Sequence, residues 1–427
     1  MINYRKALSI SIVLCLILAS ILPVFGVSNS KSDNNIQEKF ENDLRAIYDN
    51  EEMKDEEKIQ KIVENLFTLK IESYRNNIEY NLSIFFDNSN ELSKNLKYFI
   101  DKAKLDIAIK EQAKIKILWD KYDIEFLDIN INKEQAEVKV YVAYEYQMED
   151  CDDPSFVGTE YTVSLEKIKS KWIVININSN DAFDIAHLDY GINIEALLNS
   201  PSMDEVETIE SIEAKKASVK KQVENAVLLG FIDTPYTRSS AVSYAKKYAS
   251  YSTRNKNFWY YNATNETDCQ NFASQCVWAG FGGVATDSTA INGKAFPMLD
   301  NGLSGSRSWY HTSSQYGTPT NWSWTSCNGF KNYLAAGGYA VGPYGYEYNG
   351  VAYSNLGDVI HVKWDTNGIR HAMVITGFKS GSTYGSRTRD QIYVSAHSSD
   401  HNNVLLTTIA GASGNTLYTE AIGGNLQ

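Results

Sequence analysis

The chain has 427 residues, of which 43% are hydrophobic and 22% are charged, a globular composition that excludes the disordered and collagen-like classes. Its length suggests two or three domains. The net charge of -12 argues against a nucleic-acid-binding protein. From Tyr236 onward there are 13 basic and 10 acidic residues, whereas the part before has 27 basic and 42 acidic ones. This asymmetry predicts two modules of different composition.

The first 26 residues have the pattern of a secretory signal peptide. Arg5 and Lys6 precede an apolar run over residues 10–25, which breaks at Gly26 and gives way to a polar stretch. We therefore predict a signal peptide over residues 1–26 and a mature protein that is secreted or associated with the cell wall. An uncleaved anchor helix is the alternative, because the run is only slightly short of a membrane span.

Residues 35–198 are predicted to form an α+β support domain. Apolar residues at helical spacing predict helices over 58–74 and 95–119. Alternating apolar residues then predict an antiparallel meander, with strands over 138–146, 161–168 and 172–177. In the order of its elements, this region resembles the cone-shaped nuclear-transport-factor-like fold. Residues 199–234 predict a linker helix, since acidic residues precede basic ones in the order that the helix macrodipole favours.

Four cysteines follow the predicted signal peptide, too few for a disulfide scaffold: Cys151, Cys269, Cys276 and Cys327. Cys269 and Cys276 are seven residues apart in a predicted helix, or about 10.5 Å, which is too far for a disulfide. Cys269 follows Asp268 at the start of that helix, where the positive end of the dipole lowers a thiol pKa and favours the nucleophilic thiolate. A buried structural cysteine is the alternative.

A cysteine nucleophile needs a base, and two predicted strands offer histidines. His371 opens a strand that ends at Phe378, and the next strand, over 391–396, ends at His397. A cysteine on a helix, a histidine opening one strand and a polar residue on the following strand match the papain-type arrangement. His361 is an alternative base, but its position within a third strand favours a packed or surface residue.

The later half resembles the bacterial putative amidase domain family, a branch of the NlpC-like papain-fold cysteine hydrolases. The resemblance covers about residues 236–408. It is carried by segments 236–245, 268–275, 322–334, 356–360, 371–376 and 395–400. Gln270 and Ala273 stand where the family usually has Thr and Val. The resemblance implies Cys269 as nucleophile and His371 as base, with His397 as third member by its position.

Other residues compete for the supporting roles. Asp400 is the rival third member, because a carboxylate is the better partner for a developing imidazolium. The oxyanion would be held by the backbone N–H of Cys269 and one further donor, for which Tyr260 and Tyr261 are candidates.

We therefore expect a papain-like, NlpC-type α+β domain over residues 235–427 that hydrolyses amide bonds without metal or cofactor. The fold relatives and the predicted export imply cell-wall peptides or peptidoglycan as substrate. We expect no nucleic-acid partner and no stable membrane insertion after signal cleavage. The Asn-, Ile- and Lys-rich, Pro-poor composition suits an AT-rich Gram-positive bacterium.

Two other functions stay open at this point. A metal-dependent hydrolase is one, because His397 and His401 have the spacing of a helical zinc site, although the residues between them have a loop composition. A wall-binding module without activity is the other, since aromatic residues at 309–310 and 344–353 can stack on sugars.

Overall fold

The computed structural model describes residues 33–87, 91–181, 184–185, 188, 207–228, 235–250, 252–258, 260, 268–283, 309, 322–335, 343–363, 371–411 and 415–423. The helices are α1 Asp33–Asp49, α2 Asp55–Asn76, α3 Lys94–Gln112, α4 Ile209–Leu228, α5 Arg238–Tyr248, α6 Cys269–Gly280, α7 Trp322–Thr325, α8 Cys327–Ala335 and α9 Leu406–Ala410, with 3-10 turns at Leu82–Phe85 and Arg389–Gln391. Within these ranges no helix combines the length and apolar character needed to cross a membrane. The predicted signal peptide lies outside the described residues.

The strands form one large sheet. They are β1 Ile117–Asn132, β2 Gln135–Met148, β3 Ser155–Ile168, β4 Lys171–Ser179, β5 Gly345–Asn349, β6 Val359–Lys363, β7 His371–Phe378, β8 Ile392–Ala396, β9 Asp400–Leu405 and β10 Thr416–Ile422. Their order is β1-β2-β3-β9-β8-β7-β6-β10-β5, with β4 paired to β3. All the pairings between these strands are antiparallel. The predicted mixture of helices and antiparallel strands is confirmed.

The helices of the first half form where the sequence repeats apolar residues every three or four positions. On α2 this pattern buries Ile59, Ile62 and Leu66 against the sheet. The helix ends at Asn77, which adopts the left-handed conformation with φ 56°. Its backbone N–H reaches the carbonyls of the preceding turn, so the last turn of the helix is capped.

The second predicted helix, over residues 95–119, begins where expected but ends earlier. The Ser93 hydroxyl accepts a hydrogen bond from the Leu96 N–H at 3.3 Å and caps the start of α3. The helix ends at Gln112, not at residue 119, because Lys114 takes a left-handed conformation with φ 52°. Residues 117–119 instead begin β1, which pairs with β2 along its length.

The sheet and the core both cross the predicted boundary between the halves. The start of β3 pairs with β9, with Val157 opposite His401, while the rest of β3 pairs with β4. Leu105 and Ile109 of α3 belong to the same core cluster as Met373 of β7. Within the predicted linker, α4 packs against β5. The two halves therefore share one sheet and part of one hydrophobic core.

Candidate active site

Cys269 is the first residue of α6, the most deeply placed helix of the later half. All residues of α6 from Cys269 to Gly280 are buried, and the Cys269 side chain and backbone together are 1% exposed. The helix packs on the face of the sheet beside β7. This position places the thiol at the positive end of the helix dipole, as the sequence predicted.

His371 opens β7 and contacts the thiol. Its imidazole lies beside Cys269, where its charge and its hydrogen-bonding group both lower the pKa of the thiol, as does the backbone N–H of Ala372. The imidazole is buried, at 1% exposure. The structure therefore brings together the predicted nucleophile and base.

A second thiol also reaches Cys269, and sequence reasoning did not foresee it. Cys327 opens α8 and forms a side-chain hydrogen bond with Cys269. Trp324 holds this region on α6, because its indole N–H donates to Asn271 at 2.8 Å and its carbonyl accepts from the Ser274 hydroxyl at 2.8 Å. The Trp-Ser-Trp motif three residues before Cys327 was the available signal.

These contacts shift the pKa of the Cys269 thiol. The pKa of Cys269 lies well below its ordinary value, first because Cys327 donates a hydrogen bond to it. Burial opposes this shift, while the charge and the hydrogen bond of His371 add to it. The pKa of Cys327 is raised well above its ordinary value, chiefly by the same bond to Cys269 and then by burial. Of the two thiols, Cys327 therefore keeps its proton more readily and donates the hydrogen bond, and Cys269 loses its proton more readily.

His397 contacts the residue before the nucleophile. Its Nδ1 lies 2.6 Å from the Asp268 carboxylate, and its Nε2 donates to the Tyr248 carbonyl at 2.8 Å. The ring also stacks on Phe272 of α6, with centroids 4.0 Å apart. Because a carbonyl oxygen only accepts hydrogen bonds, Nε2 must carry a proton. His397 therefore joins the end of α5 to the start of α6.

This geometry differs from the expected contact between His397 and His371. Both ring nitrogens of His397 are engaged by Asp268 and Tyr248. The strand register gives the reason: Val374 of β7 lies opposite Ser395 of β8, so extending the ladder brings His397 opposite position 372, not 371. Adjacent positions on a strand point to opposite faces of the sheet. The role of His397 as third member stays a prediction.

The other candidates occupy places around this pair. Asp400 opens β9 and accepts a hydrogen bond from the Tyr141 hydroxyl of β2 at 2.7 Å, which ties it to the first half. The Tyr260 ring lies edge-on to His397, with centroids 6.3 Å apart. The Arg254 guanidinium packs on the Tyr260 ring, 3.3 Å from its centroid. Burial raises the pKa of Tyr260 to about 12. Tyr261 lies outside the described residues.

The alternative base, His361, is a packed residue beside the site. Its Nε2 donates to the side-chain oxygen of Gln270 at 2.8 Å, and its Nδ1 lies 3.2 Å from the Glu420 carboxyl. Burial lowers the pKa of His361 to about 4 and raises that of Glu420 to about 7. A neutral imidazole that donates through Nε2 can accept at Nδ1 from a protonated Glu420. This network holds the side chain of Gln270, the residue after Cys269, in place.

The two histidines of the zinc alternative are held by different carboxylates. His397 contacts Asp268, whereas His401 Nε2 lies 3.5 Å from Asp181. Among the described residues, no group of three His, Cys, Asp or Glu side chains has the arrangement of a metal site.

Residues 235–419 match the family model whose description is "putative amidase domain". The match confirms the resemblance seen in the motifs, and amide hydrolysis is the activity to which the description refers. The matched region contains Cys269, Cys327, His371 and His397. Searches of curated proteins and of solved structures find no significant match.

Proposed function

We propose that the later half is a papain-like cysteine amidohydrolase in which Cys269 attacks an amide carbonyl and His371 serves as acid and base. The observation that carries this proposal is the position of Cys269 at the start of α6 beside His371 at the start of β7, together with the lowered pKa of the thiol. A thiolate is the nucleophilic form of cysteine, and a helix start beside an imidazole is where that form is stabilised.

The reaction takes place in two acyl-transfer steps. The Cys269 sulfur forms a bond to the carbonyl carbon, and the His371 imidazolium gives its proton to the leaving amine as the carbon–nitrogen bond breaks. His371 then takes a proton from water, whose oxygen attacks the thioester. The carbon–sulfur bond breaks, the acid is released and the thiolate returns.

Two groups stabilise the intermediates in this proposal. The backbone N–H of Cys269 at the helix start donates to the oxyanion, and a second donor completes the hole. Tyr260 remains a candidate for that donor, because its ring lies beside His397 and therefore near the start of α6. The Asp268–His397 pair supports this arrangement by holding the first turn in place.

We further propose that the protein is exported and that its substrates are peptide amides of the cell wall. The predicted signal peptide and the match to an amidase family support this substrate class. The first half, which shares the sheet with the later half, would hold the enzyme part in a fixed orientation.

The test is incubation of the mature protein with purified peptidoglycan, followed by mapping of the new amino and carboxyl ends. We expect release of peptide ends that depends on Cys269 and persists in a chelator. Cys276→Ala is the matched control, because Cys276 lies on the same helix. New ends formed equally by Cys269→Ala would refute the cysteine mechanism, and activity on soluble amides alone would refute the wall substrate.

A further inference from the structure

A cavity whose lining does not include Cys269 or His371 lies mainly in the first half. It is enclosed by α2, α3 and the face of β2 and β3, and its volume is about 140 Å³. That volume holds on the order of ten water molecules, or one small organic molecule. His401 of β9 and Thr408 of α9 also line it. The cavity is therefore formed by both halves of the chain and requires the complete protein.

Much of the wall is apolar or aromatic. The side chains that form this part of the lining are Phe67, Ile71, Tyr74, Ile109, Val142, Tyr146 and Tyr161. Rings dominate, and Phe67 packs on Tyr161 with centroids 4.7 Å apart. A ligand in this space would bury an apolar group against aromatic faces, the usual source of affinity in small-molecule sites.

The cavity also contains buried charges, and the acids are held in place. The Asp184 carboxylate accepts hydrogen bonds from the Tyr98 hydroxyl at 2.8 Å and the Ser179 hydroxyl at 2.5 Å. Asp181 accepts from the Ser399 hydroxyl. Burial, and then the charge of Asp181, raise the pKa of Asp184 to about 6. Two carboxyl groups so close together are better accommodated when a cation faces them.

Two lysines line the cavity, and they differ in their partners. Lys102 forms an ion pair with Asp106, whereas Lys70 forms no ion pair with any carboxylate in the described part of the chain. The Lys70 ammonium instead lies 5.1 Å from the ring centroid of Phe99 and 3.5 Å from the Tyr161 hydroxyl. Lys70 and Asp184 both line the cavity, and the charges of Lys102 and Lys70 both act on Asp184. Aromatic rings hold the Lys70 ammonium inside the cavity without neutralising it.

We propose that the cavity binds a free α-amino acid with an apolar side chain, its carboxylate on Lys70 and its ammonium towards Asp184 and Asp181. A simple anion would meet the two carboxylates, and a simple cation would leave Lys70 unpaired. A zwitterion satisfies both signs, while its side chain packs against the rings. Neither Cys269 nor His371 lines this site, and the proposal does not depend on the reaction proposed above.

Calorimetric titration of the full mature chain carrying Cys269→Ala tests this site, because that variant removes turnover at the thiol. The probes are leucine, N-acetylleucine, which lacks the cation, and leucinamide, which lacks the carboxylate. We expect leucine to bind and each derivative to bind at least ~10-fold more weakly, as expected for loss of a charge-assisted hydrogen bond. Valine and phenylalanine extend the test to other apolar side chains.

Lys70→Met should weaken leucine binding at least ~10-fold. Lys61→Met is the matched control, because Lys61 lies on the same helix, has a side chain that is 45% exposed and pairs with Glu57 at 3.1 Å. It should leave binding unchanged. Melting curves check that both variants fold, and Lys70→Gln replaces Lys70→Met if the latter is unstable. No binding of any of the three amino acids at ~10 mM, equal binding of the three leucine probes, or unchanged binding in the Lys70 variants overturns the proposal.

Discussion

Helix α6 carries two thiols, one at its start and one further along, whose pKa values are shifted in opposite directions. Cys269 at the start and Cys276 two turns later are both buried, at 1% and 0% exposure. Burial raises the pKa of Cys276 well above its ordinary value, whereas the pKa of Cys269 is lowered well below it. Because both thiols are desolvated, their difference comes from neighbours: Cys327, His371 and the Ala372 N–H act on Cys269. The neighbours at the helix start therefore account for the opposite directions of the two pKa shifts.

Replacing each cysteine by alanine should separate chemistry from packing, with the largest effect of any change. Cys269→Ala should lower kcat by at least ~10⁴-fold with the fold intact, since no other group replaces the thiolate. Cys276→Ala should keep kcat and lower the free energy of unfolding by roughly 1–2 kcal/mol, because it leaves a small cavity. Initial rates and thermal unfolding of both variants are measured. Equal losses of activity in the two variants would contradict the proposed difference in role between Cys269 and Cys276.

Removing His371 should raise the pKa of Cys269 towards that of an ordinary buried thiol such as Cys276. His371→Ala should lower kcat/KM by ~10²–10⁴-fold, because the leaving amine loses its proton donor. The thiolate is present above the lowered pKa of Cys269 and is lost as the pH falls through it. Without His371 that loss should occur at higher pH, so alkylation of Cys269 at pH ~6 should slow markedly. An alkylation profile unchanged by His371→Ala would contradict the assigned contact.

We expect the Asp268–His397 pair to affect turnover by holding the first turn of α6 in place, not by shifting the pKa of Cys269. His397→Ala and Asp268→Asn should each lower kcat by ~10–10²-fold, and the double variant should be no worse than either, since both remove one interaction. The pH profile of Cys269 alkylation should hardly move. A profile that shifts with His397→Ala would instead support the role of third member that the sequence predicted.

Asp400→Asn is the control for that pair, because Asp400 contacts Tyr141 of the first half. It should keep kcat within a few-fold and lower stability, as a lost buried hydrogen bond does. A large loss of kcat in Asp400→Asn, together with a nearly unchanged kcat in His397→Ala, would instead indicate that Asp400 is the third catalytic member.

The smallest effect on turnover is expected at Cys327, which takes no part in the proposed proton transfers. Cys327→Ala should raise the pKa of Cys269 and slow its alkylation at pH ~6 at least as much as His371→Ala does, because its hydrogen bond is the largest cause of the lowered pKa. Cys327→Ser keeps a hydroxyl donor at the same place and should restore most of the rate. Equal rates in the alanine and serine variants would show that the thiol fills space only.

The contrast between the two thiols was partly visible in the sequence. Polar residues before Cys269 and apolar periodicity after it located the helix start, and alternation located β7 with His371 at its head. Both signals are local, so a pattern within ten residues suffices. The other contacts around the helix start were not local: Cys327 is 58 positions from Cys269, and Asp268 is 129 positions from His397. No periodicity encodes such contacts.

The same reason explains the errors in the fold. The helix predicted over 95–119 ran too long because Ile115 and Ile117 continue the apolar spacing of α3, and the left-handed turn at Lys114 carries no Gly or Asn to mark it. The meander of β2, β3 and β4 was foreseen from alternation. Its pairing with β9 was not, since Val157 and His401 meet only through the tertiary fold.

The most direct test measures the rate of iodoacetamide modification of each cysteine in the mature protein as a function of pH, with sites identified by mass spectrometry. The account predicts that Cys269 is modified first at pH ~6–7, with a rate that is nearly constant from there to higher pH, while Cys276 reacts only when the protein unfolds. A Cys269 that reacts no faster than Cys276, or whose rate rises only near the ordinary thiol pKa of ~8.5, would contradict it.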